Sequence, residues 1–125
     1  MERTALQPEG LAGPAAPYSP VLVSGDLVFT SGQVPYDADG KLVSDDFAEQ
    51  AHRTFQNVGL CLATAGCDFA DVVKVTAYLA DLADFPVYTE IYREYFKEPL
   101  PARTTVGAAL LGFKIEVEAI ARRRS

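Results

Sequence analysis

Two stretches of this chain carry a helical period, residues 46–66 and 84–96, and the runs around them are β-branched and of strand length. Two amphipathic helices can cover only one face of a sheet of about five strands, so the order itself dictates a layered α+β domain with the other face bare. Val21, Leu22, Val23, Leu27, Val28 and Phe29 would send apolar groups to both sides of their strands, as would Val72 with Val73, because side chains alternate across a strand. A homo-oligomer that buries the bare face is the expected solution.

The elements are marked by their ends. Pro8, Gly10, Gly13, Pro14, Pro17 and Pro20 predict an irregular lead-in over the first twenty residues, which holds Tyr18. Val21–Val23 and Leu27–Ser31, joined across Ser24-Gly25-Asp26, read as a β-hairpin. Asp46 and Glu49 form a capping box for a helix whose inner face is Phe47, Ala51, Phe55, Val58, Leu62 and Ala65, and Gly66 ends it. Val72–Leu79 is a strand. Asp84 then caps a helix bearing Phe85, Tyr88, Ile91, Tyr92, Tyr95 and Phe96, which Pro99 and Pro101 stop. Strands over Arg103–Ala108 and Lys114–Ala121 complete the order ββαβαββ.

Length and composition narrow the function. At 125 residues the whole chain, 1–125, reads as one domain, with no room for a cofactor domain beside a substrate domain. No segment approaches the run of about 18 apolar residues that a membrane span needs, and the start, Met1-Glu2-Arg3-Thr4-Ala5, shows no secretory signal, so a cytoplasmic protein is expected. Cys61 and Cys67 fit neither a redox pair nor a zinc knuckle and read as buried or half-buried thiols. His52 is the only histidine, which excludes a His-rich metal site and leaves a Ser-His-Asp arrangement a single route. A formal charge of −6 and a pI near 4.6 oppose nucleic-acid binding, with Arg122-Arg123-Arg124 a local exception.

Four segments could carry chemistry. Pro101-Ala102-Arg103 fixes a guanidinium at the start of a strand, and its planar fork matches a carboxylate through two parallel hydrogen bonds; taken alone, such an Arg more often makes a surface salt bridge. In Lys114–Ala121, Ile115, Val117 and Ala119 share one face and Lys114, Glu116 and Glu118 the other. That face is a solvated surface unless an oligomer buries it, in which case a carboxyl with a raised pKa becomes a proton carrier. Tyr18 would wall a pocket or anchor a loop, and the Ser31-Gly32 strand end would let a ligand approach the backbone closely.

Pro17-Tyr18-Ser19, Thr30-Ser31-Gly32-Gln33-Val34-Pro35, Val73-Lys74-Val75-Thr76, Pro101-Ala102-Arg103 and Glu116-Val117-Glu118-Ala119-Ile120-Ala121 together resemble, in order and spacing, the successive signatures of the RidA (YjgF-type) family. The resemblance implies a chorismate-mutase-like α+β fold with a mixed sheet and two helices on one face. It also implies a homotrimer with ligand clefts between subunits, and cofactor-free hydrolysis of reactive enamines or imines, such as 2-aminoacrylate or 2-aminocrotonate, to 2-keto acids and ammonia. By the same resemblance Arg103 binds the substrate carboxylate, Tyr18, Ser31 and Gly32 line the pocket, and Glu116 is the acidic residue, with Glu118 a substitute. Many members have a cysteine where this chain has Thr105, and often a pocket asparagine where it has Thr89; Asn57 is its only asparagine. The connection through Gly107–Gly112 looks shorter than in archetypal members. Three other readings stay open: a non-catalytic module that binds a small carboxylate in the same pocket; a specialised deaminase or hydrolase of the same family, which these departures favour; and a ribonuclease, an activity attributed to some relatives, which the acidic surface opposes.

Overall fold

The computed structural model describes residues 2–124. Its strands are β1 (Arg3–Leu6), β2 (Val21–Ser24), β3 (Leu27–Thr30), β4 (Val72–Leu79), β5 (Ala102–Gly107) and β6 (Ile115–Arg122); its helices are α1 (Phe47–Thr64) and α2 (Phe85–Tyr95). One sheet holds all six strands in the order β1-β2-β3-β6-β4-β5. The β4–β5 pair, bridged by α2, is parallel and every other pairing is antiparallel, so the sheet is mixed.

The lead-in is not irregular throughout. Arg3–Leu6 pairs with β2 in the register Arg3↔Ser24 to Leu6↔Val21 and adds an edge strand ahead of the expected order. This strand is short and mostly exposed and precedes the first proline, so it has neither an apolar alternation nor a breaker to betray it. Two caps also differ from expectation. Asp46 accepts the Glu49 N–H at 3.0 Å, but its own N–H goes to Ser44 Oγ at 2.8 Å, so only half of the capping box forms. Asp84 makes no side-chain cap; Asp81 accepts from Ala83 N at 2.9 Å and starts a 3-10 turn, Leu82–Asp84, that leads into α2. At the other end of α1, Gly66 at φ 78° donates to Ala63 O and Cys67 to Leu62 O, the paired bonds of a Schellman ending. Among the described residues no helix is long and apolar enough to cross a membrane.

Alternation along the strands sorts residues to two faces. Val21, Val23, Val28, Val75, Ala77, Leu79, Ile115, Val117, Ala119 and Ala121 are buried in the core with Ala51, Phe55, Val58 and Leu62 of α1 and Tyr88, Ile91 and Tyr92 of α2. Leu22, Phe29, Thr76, Tyr78, Glu116, Glu118 and Ile120 alternate with them on the helix-free face and are half-buried. Val73 falls in the irregularity between Val72 and Lys74.

An aromatic cluster locks α1 to α2. The fully buried Phe55 ring stacks on Tyr95 at 4.8 Å and on Tyr88 at 5.9 Å and meets Phe96 edge-on at 5.9 Å. Phe55→Ala is therefore expected to cost about 3–5 kcal/mol, read as a lower denaturant midpoint with an unchanged slope.

Candidate active site

A bulge at the end of β3 builds the first group of candidate residues. From the pair Phe29↔Ile120 to the pair Gln33↔Val117 one chain advances four residues and the other three. Thr30 Oγ1 accepts the Ala119 N–H at 3.0 Å, and past the bulge Gln33 and Val117 exchange backbone bonds of 2.7 and 3.0 Å. Ser31 ties this turn to the lead-in, its N–H donating to Pro20 O at 2.9 Å and its hydroxyl to Ser19 O at 2.6 Å. Tyr18, in the tied segment, lines a cavity of about 210 Å³ together with Gly32, Gln33 and Asn57. Asn57 reaches it from α1, where its amide nitrogen donates to Val34 O and Tyr36 O and its buried oxygen has no partner among the described residues.

Gly32 lies directly against Glu116. A Cβ at position 32 would fall 2.7 Å from Glu116 Cδ and 2.9 Å from Cγ, so any side chain there would push the carboxyl group aside. If Glu116 serves a reaction, Gly32→Ala is expected to lower kcat/KM by about 10²-fold with the fold retained, which steady-state kinetics beside a thermal melt would check. Burial first, and the like charge of Glu118 second, push the Glu116 carboxyl above its ordinary value of 4.5. Glu118 accepts the Tyr78 hydroxyl at 2.8 Å, whereas no hydrogen bond or ion pair holds Glu116 among the described residues.

Arg103 heads a second group. Its position on β5 matches Val75 of β4, so its side chain rises on the helix side of the sheet, and Thr105 matches Ala77 on that same side. The guanidinium carbon stands 4.9, 5.3 and 5.8 Å from the ring centres of Tyr92, Phe85 and Tyr88, and one terminal nitrogen donates to Thr89 Oγ1 at 3.2 Å. No carboxylate pairs with Arg103 among the described residues, which sets aside the salt-bridge reading. Arg103, Thr89 and Tyr92 line a cleft of about 170 Å³. Beneath it the Tyr88 and Thr105 hydroxyls are neighbours without hydrogen-bond geometry, and both are buried without a partner among the described residues, as is the Tyr92 hydroxyl. Burial pushes both phenols up, against the pull of the Arg103 cation.

Tyr18, Ser31, Gly32 and Glu116 thus gather in one place and Arg103, Thr89 and Thr105 in another, with Glu116 and Arg103 on opposite faces of the sheet. Residues 10–123 match the family described as Endoribonuclease L-PSP. The chain belongs to this family, the Rid (YjgF-type) proteins. Human 2-iminobutanoate/2-iminopropanoate deaminase is 44% identical over 112 residues, spanning 87% of this chain and 82% of its own. Among solved structures, RidA from an Antarctic Psychrobacter is 32% identical with a TM-score of 0.90, over 95% of this chain and 98% of its own. Escherichia coli TdcF, solved with bound serine, is 33% identical with a TM-score of 0.89, over 97% and 99%. The fold is the chorismate-mutase-like α+β arrangement expected from the sequence.

In this Rid chain the rings around Arg103 are what sequence reasoning missed. Phe85, Tyr88 and Tyr92 read there as an ordinary apolar helix face; the signal available was that two carry hydroxyls that a core has no use for. Other candidates lie elsewhere. The His52 ring meets the Tyr95 hydroxyl at 2.9 Å and Glu94 at 3.8 Å, on the helix layer. Cys61 and Cys67 are both buried and unpaired, and burial pushes the Cys61 thiol up to about 12. The three terminal arginines are engaged: Arg122 with Asp26, Arg124 with Asp71 and Asp68, and Arg123 with the Ala65 carbonyl. In the connection after β5, Leu111 is 89% exposed, so the rim turns an apolar tip outward.

Proposed function

We propose that this chain hydrolyses reactive enamine and imine intermediates such as 2-aminoacrylate and 2-aminocrotonate to 2-keto acids and ammonia. The work takes place in the cytoplasm, in clefts of a homotrimer, with Arg103 from one copy facing Glu116, Tyr18, Ser31 and Gly32 from the next. The observation that carries the reading is the Arg103 guanidinium, caged by rings and Thr89 yet lacking any acid partner among the described residues. The human relative's name supplies the substrate class, and the serine in the Escherichia coli relative carries the same carboxylate. Two copies are required because one chain holds Arg103 and Glu116 on opposite faces, and the helix-free face, lined by Leu22, Phe29 and Ile120, supplies apolar surface for them to share.

In this reading Arg103 takes the carboxylate through its fork and so orients the imine carbon. An enamine first gains a proton at its terminal carbon and gives one up from nitrogen, becoming the imine. Water then adds to the imine carbon while Glu116 accepts one of its protons and returns it to the nitrogen, giving the carbinolamine; the hydroxyl proton then passes by way of Glu116 to the same nitrogen as the C–N bond breaks, leaving the keto acid and ammonia. Burial suits Glu116 to the task, since a carboxyl titrating closer to neutrality both takes and returns a proton. The imine is already reactive, so orientation and one proton carrier suffice. Thr89 and Thr105 line the Arg103 side with hydroxyls and set which side chain beyond the imine is accepted.

The purified protein should accelerate keto-acid release when added to a serine or threonine dehydratase reaction; a rate equal to that of the dehydratase alone would refute the proposal. The bound serine in the Escherichia coli relative favours one other reading, a carboxylate-binding module. Saturable binding of 2-oxobutyrate without deaminase activity would select it. RNA cleavage fits poorly with a charge of −6 and three terminal arginines already engaged by local partners.

A further inference from the structure

Two glutamates share the helix-free face of β6, and their surroundings differ in a way that assigns their roles. Glu116 is opposite Tyr78 in the β4–β6 ladder and Glu118 is opposite Thr76, so all three polar groups, Glu116, Glu118 and Tyr78, lie on one patch of that face. The Tyr78 hydroxyl reaches past its own cross-strand partner and donates to Glu118 Oε1 at 2.8 Å. Glu118 is thereby tied down, while Glu116, seated over Gly32, keeps both oxygens free of protein partners among the described residues. We propose that Tyr78 is a positioning residue: its hydroxyl tethers the Glu118 carboxylate beside Glu116, and the tethered charge makes Glu116 the proton-carrying carboxyl of this face. The inference rests on the proposed hydrolysis only for the use to which the proton is put.

The charge logic follows from the inventory of the patch. β6 contributes Glu116 and Glu118, β4 contributes Tyr78 and Lys74, the 31–33 segment contributes no ionisable group, and in the proposed assembly the next copy adds its Arg103 cation, a pull common to every form compared below. Lys74 is turned to β5, where its ammonium donates to Thr104 Oγ1 at 2.6 Å. Tyr18 borders the same Gly32 cavity as a phenol. The nearest anion to Glu116 is therefore Glu118, and its repulsion adds to burial in raising the Glu116 carboxyl. Tyr78 itself is raised, first by the bond to Glu118, so it remains a donor through the range in which a carboxyl titrates. An untethered Glu118 would be free to turn away and relieve Glu116.

The test is a titration of Glu116 followed by carboxyl NMR in the full-length protein, in four forms: wild type, Tyr78→Phe, Glu118→Gln and the double variant. Glu118→Gln should lower the Glu116 midpoint, Tyr78→Phe should lower it part of the way, and the double variant should match Glu118→Gln alone. An unchanged midpoint in Tyr78→Phe, or a Tyr78→Phe effect of equal size with and without Glu118, would overturn the proposal. This readout needs no turnover, so it stands or falls apart from the deaminase reading. With turnover present, the acid limb of kcat/KM should move down in pH with the midpoint; activity that survives Glu116→Gln but not Glu118→Gln would reverse the assignment.

Discussion

Arg103→Ala is expected to lower kcat/KM for 2-iminopropanoate by about 10²–10³-fold while stability moves by less than about 1 kcal/mol. The size follows from what the side chain would do. A bidentate guanidinium–carboxylate pair comprises two charge-assisted bonds, each of about 1.5–3 kcal/mol, part of which goes to displacing water, and about 1.4 kcal/mol is tenfold in rate. The small structural effect follows from what the side chain lacks: it is exposed, on an edge strand, with one hydrogen bond to Thr89 and no ion pair among the described residues. Arg103→Lys should recover little. A lysine keeps the charge but cannot lie flat among Phe85, Tyr88 and Tyr92, nor present two parallel donors. Steady-state kinetics beside denaturant melts separate the two effects, and an activity loss matched by a collapse of the melt would point to a structural role instead.

Glu116→Gln should cost about 10²–10⁴-fold in kcat, because the amide cannot take a proton from water. Its effect on stability runs in the opposite direction. The folded protein holds the Glu116 carboxyl above its ordinary value, so the folded state binds this proton more tightly than the unfolded chain. That linkage stabilises the protein below the unfolded value of 4.5 and is lost as pH rises through the raised folded value. At neutral pH the charged Glu116 is therefore a burden, and Glu116→Gln should raise the melting temperature there, with the gain disappearing at pH 4 and below. Melts across that range read the sign directly. A residue both catalytic and destabilising is the usual mark of a site built against the interests of the fold.

How much of this was legible in the sequence depended on whether a period or a breaker marked the feature. The hairpin of β2 and β3, the start and end of α1 and the bounds of β4 all follow from alternation, a cap or a glycine, and the structure has them within a residue of where those signals lie. β1 carried no such mark, since Arg3–Leu6 is an exposed edge held by pairing alone. Asp84 read as a cap because the 3-10 turn from Asp81 has no signature of its own. The candidate residues could be named from the sequence, but their arrangement could not. Glu116 could be assigned to the face away from the helices because Ile115, Val117 and Ala119 alternate with it. Ala102–Gly107 has no apolar alternation, so the sequence could not say on which face Arg103 stands. That face is the helix side, opposite the one that carries Glu116.

The measurement that tests the central claim most directly is complementation between two inactive variants. Arg103→Ala and Glu116→Gln protomers, each about 10²-fold or more impaired alone, are unfolded together, refolded as mixed assemblies and assayed for imine hydrolysis. A shared site predicts recovery to about a quarter of the wild-type rate, because random mixing places an intact Arg103 against an intact Glu116 at that fraction of interfaces. Mixed assemblies no more active than the separate variants would contradict a site built from two copies of this chain.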